Sequence, residues 1–178
     1  MAHVVTGKAR LSYPSLFKAR AFAGQDAKYS CVLLIPKTDK ATVAKIREAI
    51  EITKQDDKDK WRGKIPASLR TPLRDGDVEK ADEHPEYAGM WFMSVSSKNP
   101  PKIYDRDRSE LMDPEELYPG CWVRADINFA GYSNSGNNGI GAYINSVMKW
   151  ADAERFAGYS ASANAYDDDY EDTDEDLM

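Results

Sequence analysis

The chain has 178 residues, the size of one domain with extended ends. Its net charge of −6 is unevenly distributed, because residues 167–178 hold eight carboxylates and no Lys or Arg, and without those eight charges the remainder stands at +2. Residues 1–74 alone carry sixteen Lys or Arg against seven Asp or Glu. A basic body attached to an acidic end indicates a polyanionic partner that competes with the acidic end for the same surface.

Targeting signals and metal motifs are both missing from the sequence. The N-terminus lacks the apolar segment of a signal peptide, and the longest aliphatic run, "VLLI" at 32–35, is far too short to cross a bilayer. Cys31 and Cys121 have no CxxC partner, and His3 and His84 stand alone, so a zinc site is not expected. We therefore expect a soluble, intracellular protein without cofactor, with both cysteines in the core.

The first predicted strand is "HVVTGKARLSY", in which side chains alternate between two faces. The alternation assigns Val5, Ala9 and Leu11 to the core and makes the outer face basic, with Thr6, Lys8, Arg10 and Ser12. The second predicted strand is "KYSCVLLIP", which ends at Pro36.

A helix is predicted in "KTDKATVAKIREAIEITKQ", capped by Thr38 or Asp39. Its apolar positions recur at helical spacing and predict one buried face, consisting of Val43, Ile46, Ala49, Ile50 and Thr53. From 55 to 89 the sequence has no sustained period and contains Gly and Pro, which predicts a long excursion from the scaffold.

Three more strands follow the excursion. The third predicted strand spans 89–98, and a turn and a short extended piece come after it in "NPPKIYDRDRSEL". The fourth alternates cleanly, with Trp122, Arg124, Asp126 and Asn128 outside and the residues between them inside. The connector "SNSGNNG" is typical of a tight hairpin into the fifth strand, "IGAYINSVMKW".

Five strands, one helix between the second and third, and a hairpin between the last two fit the five-stranded Greek-key barrel of the oligonucleotide-binding (OB) type. A sandwich would require about seven strands. We predict an OB-fold domain over residues 1–158 and a disordered acidic tail over 159–178, because the tail's charges repel one another and cannot form a core.

The sequence contains no nucleophile motif, P-loop or dinucleotide fingerprint, so catalysis is not expected. One enzymatic alternative remains. Asp105 and Asp107 lie two residues apart in an extended segment and could bind Mg²⁺ in a nuclease if a third acid joined them.

A binding face is better supported, because basic and aromatic residues are interleaved in "KWRGK", "SSKNPPKIYDRDR", "WVR" and "RLSYPSLFKAR". Single-stranded nucleic acid is held by cations along its backbone and by rings that stack on its bases. The predicted phosphate contacts are Lys8, Arg10, Arg62, Lys98, Lys102, Arg106 and Arg124. The predicted stacking rings are Trp61, Phe92, Tyr104, Trp122 and Tyr132. An outward Trp122 could equally be a contact in a homodimer. It could also be the residue that an OB-fold adaptor presents to a protein partner rather than to DNA.

From "RLSYPSLFKA" through "SSKNPPKIYDRD" to "YPGCWVRADINFAGYSNSGNNGIGAYINSVMKWADAERFAG", the chain resembles a family of bacteriophage single-stranded-DNA-binding proteins once known only as a phage domain of unknown function. The resemblance implies an OB-fold, sequence-independent binding of single-stranded DNA in the cytoplasm of an infected host, and an acidic tail.

The acidic tail is predicted to compete with DNA and to recruit replication or recombination proteins. Its acidic residues are Asp167, Asp168, Asp169, Glu171, Asp172, Asp174, Glu175 and Asp176. Tails of this kind on other single-strand binders end in an aromatic or apolar residue, and this chain ends on Leu177 and Met178 rather than on Phe.

Overall fold

The computed structural model describes residues 2–21, 26–134 and 136–156; the predicted tail lies outside these residues. The strands are β1 (Ala2–Val5), β2 (Ala9–Arg20), β3 (Lys28–Pro36), β4 (Arg74–Asp75), β5 (Met90–Ser97), β6 (Lys102–Tyr104), β7 (Trp122–Asn134) and β8 (Asn137–Ala151). The helices are α1 (Lys40–Asp56) and α2 (Gly76–Glu79), with 3-10 turns at Lys58–Trp61, Pro85–Tyr87 and Pro114–Glu116.

Five of these strands pair in a closed ring. The antiparallel pairs are β2 with β3, β3 with β5, β7 with β8 and β7 with β2, and a parallel pair between β5 and β8 completes the circuit. These are the five predicted strands, and α1 lies between the second and third of them. The predicted OB-fold is therefore confirmed.

The core occupies the interior of the ring, where Leu11, Leu33, Met93, Ile127 and Phe129 are fully buried. The helix α1 adds its predicted buried face to the same cluster, including Ile46 and Ile50. Its start is fixed by Asp39, whose carboxylate accepts a hydrogen bond from the backbone N–H of Thr42.

The predicted first strand is in fact two strands that break at Thr6 and Gly7. Thr6 is fully buried, and its hydroxyl accepts a hydrogen bond from the backbone N–H of Ala125. The backbone N–H of Gly7 donates to the Thr42 hydroxyl. The break shifts the alternation, so the predictions that Val5 is buried and Thr6 exposed were wrong; Val5 is 41% exposed. Ser12 is also buried, because Tyr87 covers it and hydrogen bonds to it on the outer side of the sheet.

The predicted excursion at 55–89 packs closely on the ring. The indole of Trp61 is buried, and its N–H donates to the backbone oxygen of Tyr132 at 2.9 Å. A Cβ at Gly131 would lie 2.7 Å from the Trp61 ring, so the glycine makes room for it. Both cysteines are free and buried, as predicted, and burial raises the pKa of the Cys121 thiol to about 11.

A cluster that we call the C-terminal lock holds residues 152–156 against the turn before β7. Lys149 is buried, and its Nζ lies 2.7 Å from the carboxylate of Asp152. Tyr118 donates to Asp152 and accepts from the backbone N–H of Ala153. The hydrogen bond from Lys149 holds the pKa of Asp152 below its ordinary value, so this contact is complete at neutral pH and weakens as the pH falls toward that lowered pKa.

Beyond the lock, Phe156 is buried on the outer side of the sheet against Leu34, Tyr87 and Phe92. Its backbone N–H donates to the oxygen of Pro119. Residues 152–156 therefore belong to the folded domain.

Two truncations test this boundary. A chain ending at residue 158 keeps the lock and Phe156, and we expect its thermal midpoint to match that of the full chain. A chain ending at residue 151 loses both and should be destabilised by at least about 2 kcal/mol, because a buried aromatic ring and several hydrogen bonds are removed. Urea denaturation followed by circular dichroism measures the difference, and equal midpoints for the two truncations would contradict the assignment.

The alternation of β7 gives a second test with neighbouring residues. Val123 is fully buried, so Val123→Ala should lower the free energy of unfolding by about 2 kcal/mol through the cavity it leaves. Trp122 faces outward, and Trp122→Ala should cost about 1 kcal/mol or less, the value of its cation contacts. If Trp122→Ala lowered the denaturant midpoint more than Val123→Ala, then Trp122 would face the core and Val123 would face outward.

Candidate nucleic-acid interface

A cluster of tryptophans and cations lies on the outer side of β2, β7 and β8. Arg10 is paired with Trp122 across the β2–β7 ladder. The Lys8 ammonium lies 4.8 Å from the centroid of the Trp122 ring, and the Arg10 guanidinium lies 5.3 Å from it. The ring is therefore held between two cations on a half-exposed surface.

Trp150 forms the second half of this cluster and was not predicted as a site residue. The Arg106 guanidinium lies 3.9 Å from its ring centroid, and that of Arg124 lies 5.7 Å away. Arg124 is fixed by a 2.8 Å hydrogen bond from its Nε to the backbone oxygen of Thr6. The only sequence signal for Trp150 was its place at the end of the last strand. We call the surface formed by Lys8, Arg10, Arg106, Trp122, Arg124 and Trp150 the tryptophan face.

Lys102 and Tyr104 border the tryptophan face. Their strand β6 pairs with β8, and Ile103 between them is buried, so both side chains are directed outward. Tyr104 and Arg124 line the same shallow cavity of about 390 Å³. The structure thus brings together most of the residues that the sequence predicted to bind DNA.

A second surface, which we call the groove, lies on the outer side of β5 and β8. It is a cavity of about 660 Å³, and its wall is the segment 70–75. The backbone of Arg70 is attached to the start of β8, accepting from Ile140 N–H at 2.8 Å and donating to Asn138 at 3.0 Å. The groove residues that matter here are Arg70, Arg74, Ser94, Tyr132 and Gly141.

Two tyrosine rings lie over glycines beside the groove. A Cβ at Gly139 would lie 2.5 Å from the Tyr132 hydroxyl, and a Cβ at Gly141 would collide with Tyr143. Burial raises the pKa of the Tyr143 hydroxyl, and the neighbouring Tyr132 adds to the shift. The Tyr143 phenol is therefore neutral at physiological pH, which suits a ring that approaches a polyanion.

Four predicted site residues lie outside both surfaces. Trp61 is buried under β7, and Phe92, although on the outer side of β5, is covered by Tyr87 and Phe156. The burial of these two rings disagrees with the prediction that they stack on bases. Arg62 and Lys98 are exposed in connecting segments, and Arg62 has φ of 61° at the end of a 3-10 turn.

Asp105 and Asp107 cap the turn after β6. Asp105 accepts from the backbone N–H of Arg106, and Asp107 accepts from the backbone and hydroxyl of Ser109. These hydrogen bonds lower the pKa of Asp107. Within residues 2–21, 26–134 and 136–156, no group of three or more His, Cys, Asp or Glu side chains is placed to hold a metal ion. None of the described helices is long and apolar enough to cross a membrane.

The fold and these surfaces define an OB-fold protein with two surfaces that combine cations with aromatic rings, and without a metal-binding cluster among the described residues. Residues 2–178 match the family described as the ssDNA-binding protein of Enterobacter phage Enc34, and the chain belongs to that family. This membership confirms the resemblance found in the sequence and the prediction that the chain is not an enzyme.

The chain is similar to protein p50 of Acyrthosiphon pisum secondary endosymbiont phage 1, with 34% identity over 171 residues and 89% of each chain covered. Its structure is similar to that of the single-stranded DNA-binding protein from bacteriophage Enc34 in complex with ssDNA, with a TM-score of 0.77 and 36% identity over 88% of this chain and 90% of that one. The single-stranded DNA-binding protein gp2.5 of bacteriophage T7 shares the fold, with a TM-score of 0.64 at 14% identity over 96% and 97% of the chains.

Gly139→Ala tests the tyrosine arrangement beside the groove. The added methyl group would collide with the Tyr132 hydroxyl and displace the ring. We expect the quenching of tyrosine fluorescence by oligo-dT to weaken, whereas Tyr132→Phe, which keeps the ring, should retain most of the affinity. Unchanged oligo-dT affinity in both Gly139→Ala and Tyr132→Ala would show that this ring does not contact DNA.

Proposed function

We propose that the protein binds single-stranded DNA without sequence preference and protects and organises it during phage replication, recombination or repair in the cytoplasm of the infected host. The observation that carries this proposal is the groove. OB-folds bind oligonucleotides across their second and third strands and the loop between the fourth and fifth, which here are β3, β5 and the β7–β8 connection. The groove lies beside β5 and that connection.

The groove has both chemical elements that single strands require. The exposed guanidiniums of Arg70 and Arg74 supply contacts for phosphates, although Arg74 is also paired with Glu79. The ring of Tyr132 supplies a platform for a base, and stacking of this kind is worth about 1–3 kcal/mol per base. Stacking is indifferent to base identity because every base has a π-face, so we propose binding without sequence readout.

The acidic tail is proposed to act as a tethered competitor. It follows Phe156, which is held on the outer side of the sheet beside Arg10, with the Arg10 guanidinium 4.5 Å from the ring centroid. Eight carboxylates on a short tether reach a high effective concentration at the basic surfaces and would exclude weak ligands such as duplex DNA. A long single strand would displace the tail, which would then be free to recruit replication or recombination proteins, with Leu177 and Met178 as its apolar terminus.

Titration with single- and double-stranded oligonucleotides tests the proposed function. Affinity should favour single strands and fall with salt, with a log–log slope of about −0.7 for each phosphate contact. Arg70→Ala and Tyr132→Ala should each weaken oligo-dT binding, and Lys40→Ala, at an exposed lysine of α1 outside both surfaces, serves as the control. Equal affinity for duplex, or a flat salt response, would contradict the proposal, and Mg²⁺-dependent cleavage of labelled DNA would favour the nuclease alternative.

Removal of residues 159–178 tests the competitor role of the tail. The deletion takes away all eight carboxylates of the acidic run, so binding to single strands should tighten and binding to duplex should increase. The effect should be largest at low salt, because screening weakens a tethered anion. A full-length chain with the tail residues scrambled keeps the charge and should still compete. If the deletion left low-salt affinity for single strands unchanged, the tail would be only a docking peptide or a solubility element.

A further inference from the structure

The four cations of the tryptophan face form no ion pair with the described residues, although Arg10 is close enough to Glu154 to interact with its charge. No carboxylate oxygen from residues 2–21, 26–134 or 136–156 lies within 4.0 Å of a side-chain nitrogen of these cations, which are Lys8, Arg10, Arg106 and Arg124. The face therefore combines positive charge that is not neutralised by an ion pair with two large rings, a composition that suits a polyanion carrying planar groups.

The tryptophan face and the groove lie at opposite ends of one β-ribbon. Arg124 is near the start of β7 and Tyr132 is near its end, eight residues further along the strand. At about 3.4 Å per residue, they are about 27 Å apart along the strand. A single strand that contacts both surfaces must therefore span this distance.

The outer side of the β7–β8 ribbon between the two surfaces is open to a strand. Its middle carries Asn128, paired across the ladder with Tyr143, whose ring is 38% exposed. The carboxylate of Asp126 lies on this path, but it is already engaged by His3 and by the side-chain amide of Asn145. Aromatic rings are thus available at the start, the middle and the end of the ribbon.

We infer that the tryptophan face is a second contact surface for the same DNA strand, reached from the groove along the outer side of the β7–β8 ribbon. This inference rests on the proposed function. A short oligonucleotide fills the groove alone, whereas a longer one extends over Tyr143 to the tryptophan face. The length of DNA covered by one protein molecule therefore exceeds what the groove accommodates.

The test compares two oligo-dT lengths on the full-length protein, one of about 4 nucleotides and one of about 20, which are at the lower limit and above the upper limit of the site size of a single OB-fold. The variant is Lys8→Gln combined with Arg106→Gln, because both side chains are exposed and their removal spares the core. Lys40→Gln combined with Lys64→Gln is the matched control, since it removes two exposed charges outside both surfaces that were not predicted to contact DNA. Arg70→Gln removes a cation of the groove and measures the contribution of that surface to the binding of both lengths.

We expect the Lys8 and Arg106 variant to bind the long oligonucleotide about tenfold more weakly, with a log–log salt slope less steep by about 1.4 for two lost phosphate contacts. Its affinity for the short oligonucleotide should be unchanged, whereas Arg70→Gln should weaken both lengths. The control variant should match the wild type.

Three results would overturn the inference. The variant could leave both lengths unaffected, or it could weaken both equally, which would make the face part of a single short site. It could also tighten both, which would mean that the face holds the chain's own acidic tail. A wild-type protein that bound neither oligonucleotide would instead refute the proposed function.

Discussion

The alternation of β7 is the constraint on which the rest of the structure depends. This strand pairs with β1, β2 and β8, so its inward residues Val123, Ile127 and Phe129 form the centre of the core. The same two-residue period directs Trp122, Arg124 and Tyr132 outward. Because a shift by one residue would exchange the faces, the packing of the core also fixes the position of the candidate DNA contacts. Stability and binding are coupled through one strand.

The cation–aromatic contacts of the tryptophan face have two consequences. They position long side chains that would otherwise be free, since Arg106 lies over Trp150 and Lys8 over Trp122. They also leave the positive charges without an ion pair within 4.0 Å among the described residues, in contrast to the paired Lys149 of the C-terminal lock. Contact with a ring holds a cation in place without cancelling its charge. Binding of a polyanion to such a surface therefore costs little side-chain conformational entropy.

The second and last predicted strands, the α1 helix and the alternation of β7 were all predictable, because each depends on a local period. The break at Gly7 was not, because it depends on Thr42 and Ala125, which are distant in sequence. The same reason explains the errors at Trp61 and Phe92. Trp61 stands in polar sequence typical of an exposed ring, and Phe92 lies on the outer face of an apolar strand, where only Tyr87 and Phe156 from other parts of the chain cover it.

The sequence by itself determined the five strands of the ring, the place of the helix between the second and third of them, and the basic character of the body. It also determined the acidic end and the family resemblance. Tertiary structure alone decided which candidate residues share a surface. It attached the segment at Arg70 to β8 to make the groove, and it brought Arg106 over Trp150 to complete the tryptophan face. The physical reason is that composition and periodicity are local properties of the chain, whereas a binding surface is formed by residues that only the closure of the ring brings into contact.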